Sequence, residues 1–230
     1  MFAHETLSYE PKPLPDRMQR SDTEMIAAAS AHLAVMRKRH SVRDFDPRPV
    51  PRSIIEDCIQ TAGLAPSGAN HQPWHFALIS NPEMKVKVRK AAEAEELKFY
   101  SRDASDEWIR ALEPIGTGPI KKHLVDAPWL IVIFAERYGQ FDDGTRYKNY
   151  YVPESVGIAS GFLISALHLA GLTCLTHTPN PMQFLTDICN RPKSNKPLMI
   201  LAVGHPLADA CIPAAAKVKK PLDEILSRFD

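Results

Sequence analysis

Cysteine, glycine and net charge are all scarce in this sequence, and each scarcity excludes something. The four cysteines, Cys58, Cys174, Cys189 and Cys211, form no C-x-x-C pair. In a chain of this size that argues against a disulfide framework and for buried thiols in a reducing compartment. With 28 basic against 27 acidic residues the formal net charge is +1. No long-range field follows, so nucleic acid is not an expected partner, and any anion site has to be built locally from a few Arg and Lys residues. Ten Gly against 20 Pro imply stiff connections. No G-x-G-x-x-G follows a strand-like run, which leaves a Rossmann dinucleotide site unsupported. Residues 1–17 have no apolar signal core, so nothing suggests export and a cytoplasmic location is expected.

Long apolar runs are equally few. The segment from Gly157 to Leu172 is apolar, but its 16 residues fall short of the ~20 a bilayer needs, and it carries His168. Small residues alternate with large ones, as in a helix packed closely on all sides. The expectation is a buried core or dimer-interface helix and no membrane span.

Residues 1–20 read as an extended arm punctuated by proline. Ser21 and Glu24 form a capping pattern for a helix running to about Lys38. Ile54, Ile55, Cys58, Ile59 and Ala62 repeat at helical spacing, which predicts a helix over 51–62. A loop at 65–70 leads into a strand over 74–80, and a charged helix follows over 82–100. The stretch 101–122 is polar and broken by Pro114, Gly116, Gly118 and Pro119, which makes it a lid candidate. Trp129 to Ala135 is a near-continuous apolar run and so a buried strand. After the apolar helix come strands at 173–176 and 198–203, with a short helix at 184–190 between them. The tail beyond Ala208 is polar, Lys-rich and extended. The pattern is a single helix-rich α+β domain over 1–230, with arms at 1–20 and 208–230. An arm with little apolar content folds stably only by lying on something, and a partner subunit is a good candidate.

Two motifs carry chemistry. Arg39-His40-Ser41-Val42-Arg43 places two guanidinium forks and a hydroxyl within five residues, a local anion cradle. Taken alone it is also a solvated basic helix end, where cations are favoured. The second, Ala65-Pro66-Ser67-Gly68-Ala69-Asn70-His71-Gln72-Pro73-Trp74, contains a glycine that permits close backbone approach and N–H groups that can converge on one ligand. Taken alone it is also an ordinary turn into a strand. His71 and His75 are four apart, but Pro73 forbids the helix that would aim both at a metal, and no metal is expected. His123, His168 and His205 read as packing or surface residues.

Together the two motifs resemble the flavin-binding signature of the nitroreductase superfamily. The resemblance continues through Asp126-Ala127-Pro128, Thr176-His177-Thr178-Pro179 and Lys219-Lys220-Pro221-Leu222-Asp223, spanning roughly residues 35–225. It implies an FMN-binding fold with a central mixed sheet flanked by helices, in an intertwined homodimer with extended terminal arms. Arg39 and Ser41, with His40 between them, would hold the FMN phosphate, and Arg43 would reach the ribityl chain and the pyrimidine edge. Pro66, Ser67, Gly68 and Asn70 would approach the flavin from the partner subunit. Thr176, His177 and Thr178 would line the ring. Lys219 stands where relatives carry an Arg to the phosphate; it keeps the charge but loses the bidentate fork.

Glu96, Tyr100 and Lys121 reproduce the pattern of the iodotyrosine deiodinase-like subfamily. Glu96 and Tyr100 are four apart and share one helix face. Glu96 would pair a substrate ammonium and Lys121 its carboxylate, with the Tyr100 hydroxyl beside them, in a lid over 96–122. Hydrogen bonds to charged groups contribute about 1.5–3 kcal/mol each, enough for three to discriminate a zwitterion from a plain phenol. From spacing alone the same residues also read as solvated surface charge. The resemblance implies that a halotyrosine stacks on the flavin, its phenolate accepting the Ala69 N–H. Thr178 would hydrogen-bond flavin N5 and favour one-electron transfer, and halide would leave. NAD(P)H would be the ultimate donor, directly or through a flavin- or ferredoxin-type reductase. The membrane anchor of animal relatives is absent, which implies a soluble form. Two other readings stay open: a general nitro or quinone reductase, and a flavin- or tyrosine-binding module without turnover.

Overall fold

The structure, a computed structural model, describes residues 9–141 and 143–229. The first eight residues of the expected N-terminal arm lie outside the described residues; 9–20 are exposed and form no helix or strand.

Strand β3 (Trp129–Glu136) lies at the centre because its apolar run can be covered on both faces. It pairs antiparallel on one edge with β2 (Trp74–Ile79) and on the other with the long β7 (Asn195–Pro206). The far edge of β7 pairs first with β6 (Thr173–His177) and then with the two-residue β1 (Phe45–Asp46). These pairings are all antiparallel, which corrects the expected mixed sheet. The parallel element among the described residues is a single bridge between Ser41 and Cys174.

Side-chain alternation divides the core in two. Trp129, Ile131 and Ile133 face one cluster with Leu201, Val203 and Cys174. That face is covered by α2 (Arg52–Gly63), through Ile55, Cys58 and Ala62, and by α6 (Val152–Leu169), through Val156, Leu163 and Leu167. Leu130, Val132 and Phe134 face the other cluster with Ile200, Ala202 and Leu175. It is closed by Val88 and Ala92 of α3 (Pro82–Lys98), by Leu124, and by Leu185 of α7 (Phe184–Ile188). The result is helix, sheet, helix.

α6 begins five residues before the expected start and ends at Leu169. Its 18 residues are long and apolar enough to cross a membrane by length and composition. One face packs on the core, but Ile158, Phe162 and Leu169 are exposed on the other. It is therefore not packed on all sides within this chain, and Gly157 and Gly161 face open space.

α1 (Asp22–Met36) has the expected capping box: Ser21 N donates to Glu24 Oε2 at 2.7 Å, and Glu24 N donates to Ser21 Oγ at 3.4 Å. None of its residues is buried. It is attached at its end, where His168 Nε2 donates to the Val35 carbonyl at 2.9 Å.

The stretch after α3 is more ordered than its composition suggests. A π-helical turn over Phe99–Asp103 leads into α4 (Asp106–Leu112), a 3-10 turn over Glu113–Ile115, and α5 (His123–Asp126). Trp108 of α4 stacks edge-on against Phe99 with ring centroids 5.2 Å apart. A hairpin of β4 (Tyr138–Gln140) and β5 (Arg146–Lys148) was not expected. In the C-terminal tail a 3-10 turn over Ala214–Lys217 and a short α8 (Leu222–Ile225) interrupt the extended chain.

Candidate active site

Alternation along β6 sorts the residues around the principal cleft. Leu175 and His177 point to the α3 side of the sheet and are buried, while Thr176 and Thr178 are exposed. The cleft, about 510 Å³, lies where the end of β6 meets α3, α4 and the loop before α5. Arg43, Glu96, Tyr100, Lys121, Thr176, His177 and Thr178 all line it, so residues expected from two separate motifs share one cavity.

Lys121 is buried, at 4% exposure, beside an exposed Lys122. The surface reading of this residue is thereby excluded. Its Nζ lies 3.0 Å from Glu96 Oε2 and donates to Thr117 Oγ1 at 3.3 Å. The Tyr100 hydroxyl donates to the Thr117 carbonyl at 3.3 Å, and Lys121 Nζ sits 5.9 Å from the centre of the Tyr100 ring. Burial and then the nearby Glu96 charge hold the Tyr100 phenol above its ordinary pKa, so it acts as a neutral hydroxyl.

Several supports were not legible as functional residues. Glu93 Oε1 accepts the Lys121 backbone N–H at 2.7 Å and the Arg89 Nε at 2.7 Å. Burial pushes the Glu93 carboxyl up, but those two bonds and the Arg89 charge outweigh it and hold Glu93 below the usual carboxylate range. Lys85, buried on α3, donates to the carbonyls of Val125 at 3.0 Å and Ala127 at 2.8 Å, which ties down the α5 end. Thr117 is the third such residue. The i,i+4 spacings of Arg89 with Glu93 and of Thr117 with Lys121 were the visible signals; the Glu93–Lys121 and Lys85 contacts are long-range.

His123, expected to be packing or surface, is buried against His177 with ring centroids 5.2 Å apart, edge to face. Burial first, then the cationic neighbours, pushes His123 down to about 4 and His177 down to about 3. Both rings are neutral near pH 7. His177 Nε2 lies 3.9 Å from Glu96 Oε1, beyond hydrogen-bond reach, and neither His177 Nε2 nor His123 Nε2 has a partner among the described residues.

The basic run divides between two cavities. Arg39 and His40 line a second one, about 420 Å³, with Lys38, His168 and Cys174, whereas Arg43 reaches the principal cleft. Ser41, bridged to Cys174, joins them. Guanidinium forks with Ser and Thr hydroxyls along this edge suit an elongated ligand with an anionic end and a carbonyl-rich end. Lys219 is exposed and lines neither cavity.

Pro66, Ser67, Gly68, Ala69 and Asn70 do not line the principal cleft of their own chain. Their loop is held by Gly68 N donating to Ser155 Oγ at 3.3 Å and Gln72 N donating to Ser67 Oγ at 2.9 Å. Ala69, Asn70 and Gln72 all have positive φ, a strained combination for non-glycine residues. Gly68 does permit a close backbone approach, but to Tyr150 and Tyr151 of the same chain. Asn70 N and His71 N are also engaged within the loop, whereas the Ala69 N–H has no partner among the described residues.

The sequence pattern of the nitroreductase family matches residues 36–205. Iodotyrosine deiodinase from Haliscomenobacter hydrossis is 47% identical over 190 residues, 83% of this chain and 86% of that protein. Iodotyrosine deiodinase from Hydra vulgaris is 38% identical over 211 residues, 91% of this chain and 77% of that one. The fold is similar to a crystal structure of oxidized iodotyrosine deiodinase bound to FMN and 3-iodo-L-tyrosine, with a TM-score of 0.71 at 28% identity, covering 86% of this chain and 98% of that chain. The chain belongs to the nitroreductase family, among its iodotyrosine deiodinases.

Proposed function

We propose that the protein is an FMN-dependent reductive dehalogenase that removes iodide, bromide or chloride from a halogenated tyrosine. The observation that carries this reading is the pair of buried Lys121 and half-buried Glu96 beside Tyr100, in the same cleft as Arg43, Thr176 and Thr178. A zwitterion offers each of these charges a new partner, so an amino-acid head group exchanges one buried ion pair for two. A plain phenol or nitroaromatic breaks the pair with nothing in return.

FMN fits the donor set. Arg39, His40 and Ser41 are assigned to its phosphate with Lys219 in support, Arg43 to the ribityl and pyrimidine side, and Thr176 to the ring edge. The Thr178 hydroxyl is assigned to N5. Pro66, Ser67, Gly68 and Asn70 belong to the flavin site of the partner subunit. Bound FMN supplies two electrons in single steps, which with one proton replace carbon–halogen by carbon–hydrogen. The protein's share is position and electrostatics. Glu96 takes the ammonium, Lys121 the carboxylate, and the Tyr100 hydroxyl stays with them; the free Ala69 N–H, on the loop that serves the partner subunit's site, donates to the phenolate bound there. Residues 96–122 form the lid that closes over the ring and excludes water.

The working unit is a homodimer. The exposed Ile158, Phe162 and Leu169 on α6, Leu64 beside α2, and Leu222, Ile225 and Phe229 of the 208–230 arm form apolar surface that a second copy would cover. NAD(P)H is the ultimate reductant, directly or through a flavin- or ferredoxin-type reductase. The free cysteines fit a soluble enzyme of a reducing cytoplasm.

The test is anaerobic titration of dithionite-reduced holoenzyme with 3-iodo-L-tyrosine. Reoxidation of the flavin with stoichiometric iodide release over repeated cycles is expected. Rapid reoxidation by nitroaromatics with no response to iodotyrosine would instead define a general reductase, and binding without halide release a non-catalytic module.

A further inference from the structure

His177 borders the same cleft as Thr176 and Thr178, but its ring turns away from them. The strand alternation that exposes the two threonines turns the imidazole to the opposite side, at 7% exposure, toward Glu96 and His123. Its Nε2 is sealed from solvent and has no hydrogen-bond partner among the described residues, an expensive state for a polar atom. Glu96 Oε1 lies 3.9 Å away, and Glu96 is drawn the other way by Lys121 at 3.0 Å on Oε2. If Lys121 leaves, a carboxylate movement of about 1 Å closes the gap to hydrogen-bond distance.

Resting on the halotyrosine reading above, we propose that His177 is a positioning residue for Glu96. When Lys121 turns to the substrate carboxylate, the imidazole donates its Nε2–H to Glu96 Oε1 and holds that carboxylate for the substrate ammonium. His123 fixes the ring edge-to-face from α5. The charge state suits the task. Burial first, then the charges of Lys121 and Arg43, disfavour protonation of His177. A cation there would compete with the substrate ammonium for Glu96. A neutral donor steadies the carboxylate and leaves its full charge for the ligand. His177 thus makes the site select for the amino group.

The test compares wild-type holoenzyme with His177→Ala and His177→Gln, using flavin fluorescence on the flavin-loaded fraction of each. The ligands are 3-iodo-L-tyrosine and 3-(3-iodo-4-hydroxyphenyl)propanoate, which keeps ring and carboxylate but lacks the ammonium. His177→Ala is expected to weaken iodotyrosine by about tenfold, a scale typical of one hydrogen bond to a charged group, with the loss in KM rather than kcat. The propanoate should lose much less. His177→Gln, which keeps an N–H donor, should recover most of the loss and covers the case in which the alanine variant does not fold. Equal losses for both ligands, no loss, or no recovery by Gln would overturn the proposal. Failure of the wild type to bind iodotyrosine would sink the substrate reading instead. The contact is then judged by imidazole 15N resonances in Lys121→Met: a His177 Nε2–H shifted to a hydrogen-bonded position supports it, and an unshifted ring rejects it.

Discussion

Lys121 and Glu96 meet at 3.0 Å inside the cleft, so the two charges that an amino-acid head group would need are occupied with each other in the free chain. This arrangement gives each side chain a partner without a ligand, and makes ligand binding an exchange of partners rather than a new burial.

Lys121→Ala should therefore raise the dissociation constant for iodotyrosine by about tenfold or more, roughly 1.4 kcal/mol per decade. Flavin content should stay at the wild-type level, because Lys121 lies on the lid side of the cleft with Glu96, Tyr100 and Thr117. Fluorescence titration and the flavin-to-protein absorbance ratio measure the two. Loss of flavin in this variant would move Lys121 to the cofactor site.

Arg43→Ala should do the reverse. Arg43 is the member of the basic run that lines the principal cleft, and alanine removes its fork of donors. The purified variant should be pale, with flavin occupancy recovered only in excess FMN. A stable yellow preparation would count against the assignment.

The core strands were legible, because β3 and the middle of β7 are buried on both faces and must be apolar throughout. The ends of β7, from Asn195 to Pro197 and from Gly204 to Pro206, are not apolar runs and join the sheet through pairing alone. The β4–β5 hairpin was hidden for a related reason. Its three-residue strands have no apolar face of their own, and Arg146 stacked 4.6 Å from the Tyr138 ring centre contributes to its packing. At the site, the spacing of Glu96 and Tyr100 could be read from helix geometry. The burial of Lys121 could not, since neighbouring Lys122 has the same chemistry and only tertiary packing separates them. The Tyr100–Thr117 bond spans 17 residues and His123 acts through a ring contact, which no local pattern announces.

Gly68→Ala should destabilise the chain by about 1–3 kcal/mol, the usual cost of overpacking. A methyl at this position would stand 2.8 Å from Tyr151 Cδ2 and 2.9 Å from the Tyr150 carbonyl oxygen. The ring can turn, but the carbonyl belongs to the backbone entering α6. Thermal unfolding of the flavin-free protein isolates this effect from cofactor binding, and an unchanged Tm would mean the loop relaxes freely.

Phe162→Glu combined with Leu169→Glu should leave the fold intact, because both side chains are already exposed in the single chain. In a homodimer they would place four carboxylates in an apolar interface. Analytical ultracentrifugation should show monomer for the variant and dimer for the wild type, and flavin should be lost with the partner's loop at 66–70. A wild-type monomer that retains FMN would remove the dimer from the proposed site.

Stability should fall as the pH drops below neutrality, through His123 and His177. Their folded values are pushed down to about 4 and about 3, mainly by burial, against an ordinary 6.5. Both groups are lowered histidines, so between those limits the unfolded chain binds protons that the native chain refuses. Their contribution is fully present above about pH 6.5 and is lost progressively down to about pH 4 for His123 and about pH 3 for His177, at up to about 1.4 kcal/mol per unit for each ring. Urea midpoints at pH 7 and pH 4.5 report the loss, and other acid-sensitive groups such as Glu93 add to it in every variant. The histidine share is isolated with His177→Gln, which cannot titrate in this range. The gap between the two midpoints should narrow in that variant, and an equal gap would show that the buried ring is not excluding its proton.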